Sequence, residues 1–247
     1  AGSMFADDAF IRQEYVEIYG LIRTKFENQG GKGTALVRGS SGTGKSAFLQ
    51  YLVARIRNEA NDVLVVRGDS CDNLRIRFLH LSTTWWGQKK ATELDNFKDA
   101  QQVEDKCTWT IVDGCDWEPI ANYTVGAASP STPWKGFRKD RNFVQICMPQ
   151  WSLSQLEECA ISTGNDNNLT EVRKNYELIG GIARWALGET SDGVIEQVDS
   201  AVRDINFDTI QQVMQTQHAT KTDEKELVHR LVLWRTPVDE DGNWMYR

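Results

Sequence analysis

In the N-terminal part of the chain, apolar residues follow two different periods. Thr34 to Val37 form a short, mostly apolar run, which is typical of a strand buried in a parallel sheet. Between Ala47 and Asn58 the apolar residues instead recur at helical spacing, which indicates an amphipathic helix. A β-branched run at Val63–Val66 follows. This order of strand, helix and strand predicts an α/β unit.

Three later runs also have the character of buried strands, and a helical region follows them. The runs lie at Cys107–Asp113, Tyr123–Ser129 and Phe143–Pro149. Together with the first two runs they predict a five-stranded parallel sheet with flanking helices. From Trp151 to Gly188 apolar residues recur at helical spacing, which predicts a C-terminal helical subdomain.

Length and composition fit one main domain with a smaller appended subdomain. The chain has 247 residues, of which 40% are hydrophobic, and this is enough for one good core. We expect an expression scar at residues 1–4, an N-terminal helix at 5–30, the α/β core at 31–150 and a helical lid at 151–247. The end of the lid region is expected to begin a linker to a further C-terminal domain.

Charge and cysteine content argue against several classes of protein. A net charge of −7 and an isoelectric point near 5.1 argue against a free-standing DNA-binding domain. The cysteines number 5, an odd count, and form no CxxC pair, which indicates reduced thiols in an intracellular protein and no zinc site. No apolar stretch approaches the ~18 residues that a membrane span needs, so we expect no membrane partner.

A glycine-rich loop lies between the first strand and its helix. Its residues are Gly39, Ser40, Ser41, Gly42, Thr43, Gly44, Lys45 and Ser46, which match the spacing GxxxxGK[ST]. Glycines let successive backbone N–H groups converge on an anion, and the following helix directs its positive end at the same point. We therefore predict a nucleoside triphosphate site, in which Lys45 reaches the β- and γ-phosphates and the Ser46 hydroxyl holds Mg²⁺.

A nucleotide hydrolase also needs an acidic residue at the end of a neighbouring strand. Asp113 ends such a strand, so it is predicted to be the Mg²⁺-associated acid, although Asp-Gly is also a common turn signal. The next residue, which in many ATPases is a glutamate that polarises water, is Gly114. Asp116 and Glu118 are the nearest candidates for that role, and both fit solvated loop positions equally well. Slow turnover is therefore expected.

Two further sets of polar residues are candidates for contact with the γ-phosphate. Ser129 ends the run at Tyr123–Ser129 and Ser131 follows it, where related folds place a polar sensor residue, and a simple strand-ending serine is the alternative. Arg138 and Arg141 precede the last strand, where ring-forming ATPases place an arginine that reaches the neighbouring subunit. A solvated basic turn is the other interpretation of these arginines.

Four segments, taken in order, carry a family resemblance. They are Phe10–Tyr19, Ile111–Gly114, Met148–Ser152 and Ile179–Trp185. Together they resemble the P-loop module shared by Crinkler effectors and trypanosomal retrotransposon hot spot proteins, over nearly the whole chain. The resemblance implies an AAA-like or STAND-like NTPase module. In such proteins it often precedes a nuclease-like domain that acts on DNA, and many Crinklers are secreted into a host cell and act in its nucleus.

The same resemblance gives a candidate role to one residue of the helical lid. Arg184 follows Gly180-Gly181, near where lid arginines of AAA-type enzymes touch the γ-phosphate. A surface salt bridge is the alternative role for Arg184.

The sequence thus predicts Mg²⁺-dependent binding and hydrolysis of a nucleoside triphosphate, with ATP favoured and GTP left open. The rival hypothesis is a nucleotide-operated switch with little hydrolysis, which Gly114 favours. Direct DNA binding by this segment is a third. The expected partners are a second copy of the chain, reached through Arg138 or Arg141, and DNA reached through a further domain.

Overall fold

The computed structural model of the protein describes residues 10–59, 63–68, 74–79, 89–90, 108–115, 123–128, 137, 142–164 and 168–204. In the first part of this described chain, strands and helices have the following bounds: α1 Gln13–Asn28, β1 Gly33–Arg38, α2 Lys45–Asn58, β2 Val63–Gly68, β3 Leu74–Leu79, β4 Lys89–Lys90, β5 Trp109–Asp113, β6 Tyr123–Ala128 and β7 Phe143–Cys147. Four helices follow: α3 Leu153–Ser162, α4 Leu169–Ile179, α5 Ala183–Gly188 and α6 Ser191–Asp204.

The strands form one sheet in the order β4-β3-β2-β5-β6-β1-β7. β2, β5, β6, β1 and β7 are parallel, which confirms the predicted five-stranded parallel sheet. The sequence analysis did not predict β3 and β4, which extend one edge of the sheet as antiparallel strands.

The register of the sheet brings the end of β5 level with the end of β1. Ala127 of β6 pairs with Val37 on one side and with Asp113 on the other. Neighbouring strands lie about 4.8 Å apart, so Asp113 stands two strand spacings, about 10 Å, from the strand that leads into the glycine-rich loop. Brought to the same edge of the sheet, these two strand ends define the site described below.

Helices α1 and α2 cover one face of the sheet and form the main core with it. Along β1, Ala35 and Val37 face these helices while Leu36 faces the opposite side, as strand periodicity requires. Ile18 of α1 and Leu52 of α2 are fully buried in the main core. Each such side chain stabilises the fold by about 1.5–3 kcal/mol relative to an exposed one.

The helical subdomain after β7 has its own small core. Ser152 and Gln155 form a capping box that begins α3, and Leu156, Val172 and Ala186 are buried between the first three of its helices. The buried Asn175 donates from Nδ2 to the carbonyl of Glu189 at 2.9 Å, which holds the end of α5 against α4. Among the described helices, none is long and apolar enough to cross a membrane.

Candidate functional site

The loop from Gly39 to Gly44 connects the end of β1 to the start of α2. Gly44 is the N-cap of α2, with φ of +95°, a conformation that side-chain-bearing residues rarely adopt. The first N–H groups of α2 have no intrahelical partner and carry the positive end of the helix dipole. The sequence therefore folds here into a turn whose backbone can bind an anion.

Lys45 lies inside this turn. Its Nζ donates to the carbonyl oxygens of Gly39 and Ser40, at 2.8 and 2.7 Å. Burial, and then the charge of Arg184, lower the pKa of Lys45 to about 8, and the charge of Asp113 opposes the shift. The ammonium is thus held among acceptors at the mouth of the loop, with a second cation and a carboxylate near it.

Ser46 and Asp113 meet at the edge of the sheet. The Ser46 hydroxyl donates to Asp113 Oδ1 at 3.0 Å, and Arg67 at the end of β2 places its Nε 3.6 Å from Asp113 Oδ2. A hydroxyl and a carboxylate are the oxygen ligands that Mg²⁺ takes from proteins when phosphates and water complete its shell. The pair therefore fits Mg²⁺, although the described residues contain no group of three or more His, Cys, Asp or Glu side chains able to hold a metal by themselves.

Gly114 turns the chain immediately after Asp113. Its φ is +79°, and its N–H donates to the carbonyl of Ala127 at 3.1 Å. A residue with a side chain would be strained in this left-handed conformation, so a glutamate is disfavoured at the position next to Asp113. The absence of that glutamate from the sequence therefore has a backbone reason.

Arg184 reaches the loop from the helical subdomain. Its N–H donates to the carbonyl of Gly42, and its Nη1 donates to the Ser41 hydroxyl, both at 3.3 Å. Arg184 is exposed, and no ion pair joins it to a carboxylate among the described residues. The structure thus brings Arg184 to the loop, and its contact with the γ-phosphate stays a prediction.

Sequence reasoning missed three residues on the other side of the loop. Arg12 and Trp151 both donate to the carbonyl of Thr43, from Nη1 at 3.2 Å and from Nε1 at 3.0 Å. The Tyr15 hydroxyl donates to the carbonyl of Gly44 at 3.0 Å. Arg12 and Tyr15 lie in Phe10–Tyr19, one of the segments that carry the family resemblance, and that was the available signal.

Six of the predicted site residues lie outside the part of the chain that the structure describes. They are Asp116, Glu118, Ser129, Ser131, Arg138 and Arg141. Their roles stay predictions from the sequence.

With the loop at the end of its first parallel strand, the chain has the α/β fold of P-loop proteins, with a C-terminal helical subdomain. Comparison with protein-family models finds no match, and comparison with curated proteins finds none either.

Solved structures give weak similarities. The chain is similar to RuvB of Thermotoga maritima, a Holliday junction branch migration motor, with 13% identity, a TM-score of 0.43, and coverage of 92% of this chain and 70% of that one. It is also similar to AMPPCP-bound DnaA of Aquifex aeolicus, with 10% identity, a TM-score of 0.41, and coverage of 90% and 79%. Similarities of this size carry no argument about function, which therefore depends on the geometry of the loop.

Proposed function

We propose that this chain binds a nucleoside triphosphate together with Mg²⁺ at the loop 39–46, and that it hydrolyses the bound nucleotide slowly. ATP is the preferred substrate in this proposal. The observation that carries it is the convergence of the Lys45 ammonium with the Ser46–Asp113 pair, 3.0 Å apart, at the N-terminus of α2. This convergence supports binding of a polyanion with a divalent cation.

Each of these residues has a distinct role in the proposed reaction. Backbone N–H groups of the loop bind phosphate oxygens, and Lys45 exchanges its carbonyl partners for phosphate. Ser46 and Asp113 would hold Mg²⁺, which neutralises charge developing on the phosphates. Arg184 adds a positive charge from the lid beside Ser41.

A nucleotide-operated switch with little hydrolysis is the second candidate. Gly114 favours it, because no carboxylate follows Asp113 directly and the positive φ at Gly114 disfavours a residue with a side chain there. Asp116 or Glu118 would have to orient the attacking water for hydrolysis to be efficient. The two functions share one binding site and differ in turnover.

The narrower proposal is that this module belongs to a Crinkler-like effector and controls a nuclease-like domain elsewhere in a longer protein. The four ordered segments that begin at Phe10 support it. Assembly through Arg138 or Arg141, secretion into a host cell and action in its nucleus belong to the same proposal. A concentration-dependent rise in activity per molecule would test the assembly.

The proposed function is tested by measuring nucleotide binding and single-turnover hydrolysis, with ATP and GTP, with and without Mg²⁺. Lys45→Ala should weaken triphosphate binding by about tenfold or more, since it removes a charge-assisted contact. Lys32→Ala is the matched control, because Lys32 is exposed and precedes β1 at the opposite end of that strand. Asp113→Asn should lower Mg²⁺-dependent turnover more than affinity.

Three results would contradict parts of this proposal. If Lys45→Ala binds ATP and GTP as tightly as wild type does, the loop is not the nucleotide-binding site. Unchanged Mg²⁺-dependent turnover in Asp113→Asn would make Asp113 a turn residue. Turnover of the wild type within the ordinary enzyme range of about 1–10³ s⁻¹ would contradict slow hydrolysis and the switch alike.

A further inference from the structure

Three consecutive carbonyl groups of the loop accept hydrogen bonds from outside it. The Gly42 carbonyl accepts from the backbone N–H of Arg184 at 3.3 Å. The Thr43 carbonyl accepts from Trp151 and Arg12, and the Gly44 carbonyl accepts from the Tyr15 hydroxyl. These donors come from α1 and the residue before it, from the segment before α3 and from α5, so three separate parts of the chain hold the carbonyls of the loop.

Holding a carbonyl also fixes the N–H group of the same peptide unit. The peptide bond is planar and trans, so its C=O and N–H point in opposite directions. The carbonyls of Gly42, Thr43 and Gly44 share peptide units with the N–H groups of Thr43, Gly44 and Lys45. When the carbonyls point outward to these donors, the three N–H groups point the opposite way, into the loop.

The donors are themselves held rigidly. Tyr15 is 2% exposed and packs against Phe48 and Tyr51 of α2. Burial raises the pKa of its hydroxyl to about 12, so the hydroxyl keeps its proton and remains a donor at neutral pH. Arg12 is 1% exposed and lies 4.6 Å from the centre of the Trp151 ring.

The hydrogen bonding of the first turn of α2 does not require the Tyr15 hydroxyl. The Gly44 carbonyl already accepts from the N–H of Phe48 at 2.8 Å, within the first turn of α2. The additional bond from Tyr15 therefore does not rescue an unpaired group, but gives the peptide unit between Gly44 and Lys45 a second hydrogen-bond partner, outside α2.

We propose that Tyr15, Arg12 and Trp151 are positioning residues of the phosphate-binding loop, which orient the N–H groups of Gly44 and Lys45 towards the phosphates by holding the carbonyls of Thr43 and Gly44. The proposal rests on the proposed function of the loop. It predicts that affinity for polyphosphate depends on side chains that do not touch the phosphate.

Tyr15→Phe is the sharpest test, since it removes one oxygen atom and leaves the ring in the core. The matched control is Tyr19→Phe, one turn later in α1, whose hydroxyl donates to Glu59 and not to the loop. Affinities for MgATP and for Mg²⁺ with inorganic tripolyphosphate are measured by calorimetry, because tripolyphosphate reports on the phosphate site without base recognition.

Tyr15→Phe should bind both probes about fivefold more weakly than wild type, the effect of about one hydrogen bond. Tyr19→Phe should bind both probes as tightly as wild type, even if its denaturant midpoint is lowered as much as that of Tyr15→Phe. Trp151→Phe removes the Nε1 donor to Thr43 and provides a second, independent variant, for which a similar loss is expected.

The outcomes separate this inference from the proposed function. If wild type binds neither probe, the proposed function fails and this inference fails with it. If wild type binds while Tyr15→Phe and Trp151→Phe bind equally tightly, the loop is a phosphate site and the positioning role is wrong. Equal losses in Tyr15→Phe and Tyr19→Phe would also overturn the positioning role, because they would reflect general weakening of α1.

Discussion

Replacing Gly44 by alanine introduces two separate penalties, and only one of them depends on Tyr15. The φ of +95° at Gly44 costs a residue with a Cβ about 1–2 kcal/mol wherever its neighbours lie. The new Cβ would also collide with the Tyr15 hydroxyl oxygen, whereas Tyr15 Cζ would be 3.5 Å away, an ordinary contact. Tyr15→Phe removes the colliding atom, so it should relieve the second penalty and leave the first.

The size of the rescue follows from these contacts. Tyr15→Phe alone loses one hydrogen bond, about 1 kcal/mol. Gly44→Ala alone combines the backbone cost with about 1–3 kcal/mol of crowding, about 2–5 kcal/mol together. The double variant keeps only the backbone cost and the lost hydrogen bond, about 2–3 kcal/mol. The free energy of unfolding of the double variant should therefore exceed the additive expectation by about 1–3 kcal/mol.

Urea unfolding of the four proteins without nucleotide, followed by circular dichroism, measures this coupling. The control cycle combines Gly44→Ala with Tyr19→Phe, whose hydroxyl does not approach Gly44, and it should be additive within about 0.5 kcal/mol. Additivity in the Tyr15 cycle as well would refute the reasoning, because it would mean that the hydroxyl and the Cβ do not compete for the same space.

Two further predictions concern charged groups. Glu171 accepts from the hydroxyl and the N–H of Ser191, at 2.6 and 3.0 Å, and these bonds, followed by the bond from Lys174, lower its pKa from 4.5 to about 2. The contribution of Glu171 to stability is therefore present above pH 4.5 and lost as the pH falls to about 2. In Glu171→Gln the free energy of unfolding should decrease less between these two pH values than in wild type, as measured by urea unfolding at a series of pH values. Arg67 Nε lies 3.6 Å from Asp113 Oδ2, so Arg67 competes with Mg²⁺ for this carboxylate. Arg67→Ala should therefore raise the apparent Mg²⁺ affinity in the presence of ATP by up to about fivefold at low salt and not at high salt. A Mg²⁺ titration that shows weaker binding would instead mean that Arg67 assists the site.

The parallel sheet could be predicted because its signal is local. The β-branched run at Val63–Val66 lies within β2, and the run at Cys107–Asp113 contains β5. The antiparallel strand β3, at Leu74–Leu79, alternates apolar and polar residues and carries a period of two that the sequence analysis did not use. β4 has two residues, Lys89 and Lys90, and a pattern cannot be read from so short a segment.

The loop was predictable for a similar reason, since its glycines, Lys45 and Ser46 are contiguous and their chemistry needs that spacing. Asp113 followed from a topological rule, because parallel strands end at one edge of the sheet. The donors to Thr43 followed no such rule. Arg12 lies 31 positions before Thr43 and Trp151 lies 108 positions after it, so their convergence depends on the packing of helices whose relative placement the sequence pattern does not specify.

The sequence around Arg12 suggests a solvent-exposed side chain, and this expectation is wrong. An arginine next to a helix start is ordinarily solvated, yet this one is buried, which lowers its pKa, and Glu14 opposes that shift. An unpaired buried charge costs several kcal/mol. The guanidinium persists there because Glu14 Oε1 lies 3.3 Å from its Nη2 and because the carbonyls of Thr43, Pro149 and Gln150 accept from it. One of those carbonyls belongs to the loop and two belong to the connection before the lid. The guanidinium of Arg12 thus holds both segments. Arg12→Lys keeps the charge but loses the forked donors, so it should weaken the attachment of the loop and of the connection before the lid together.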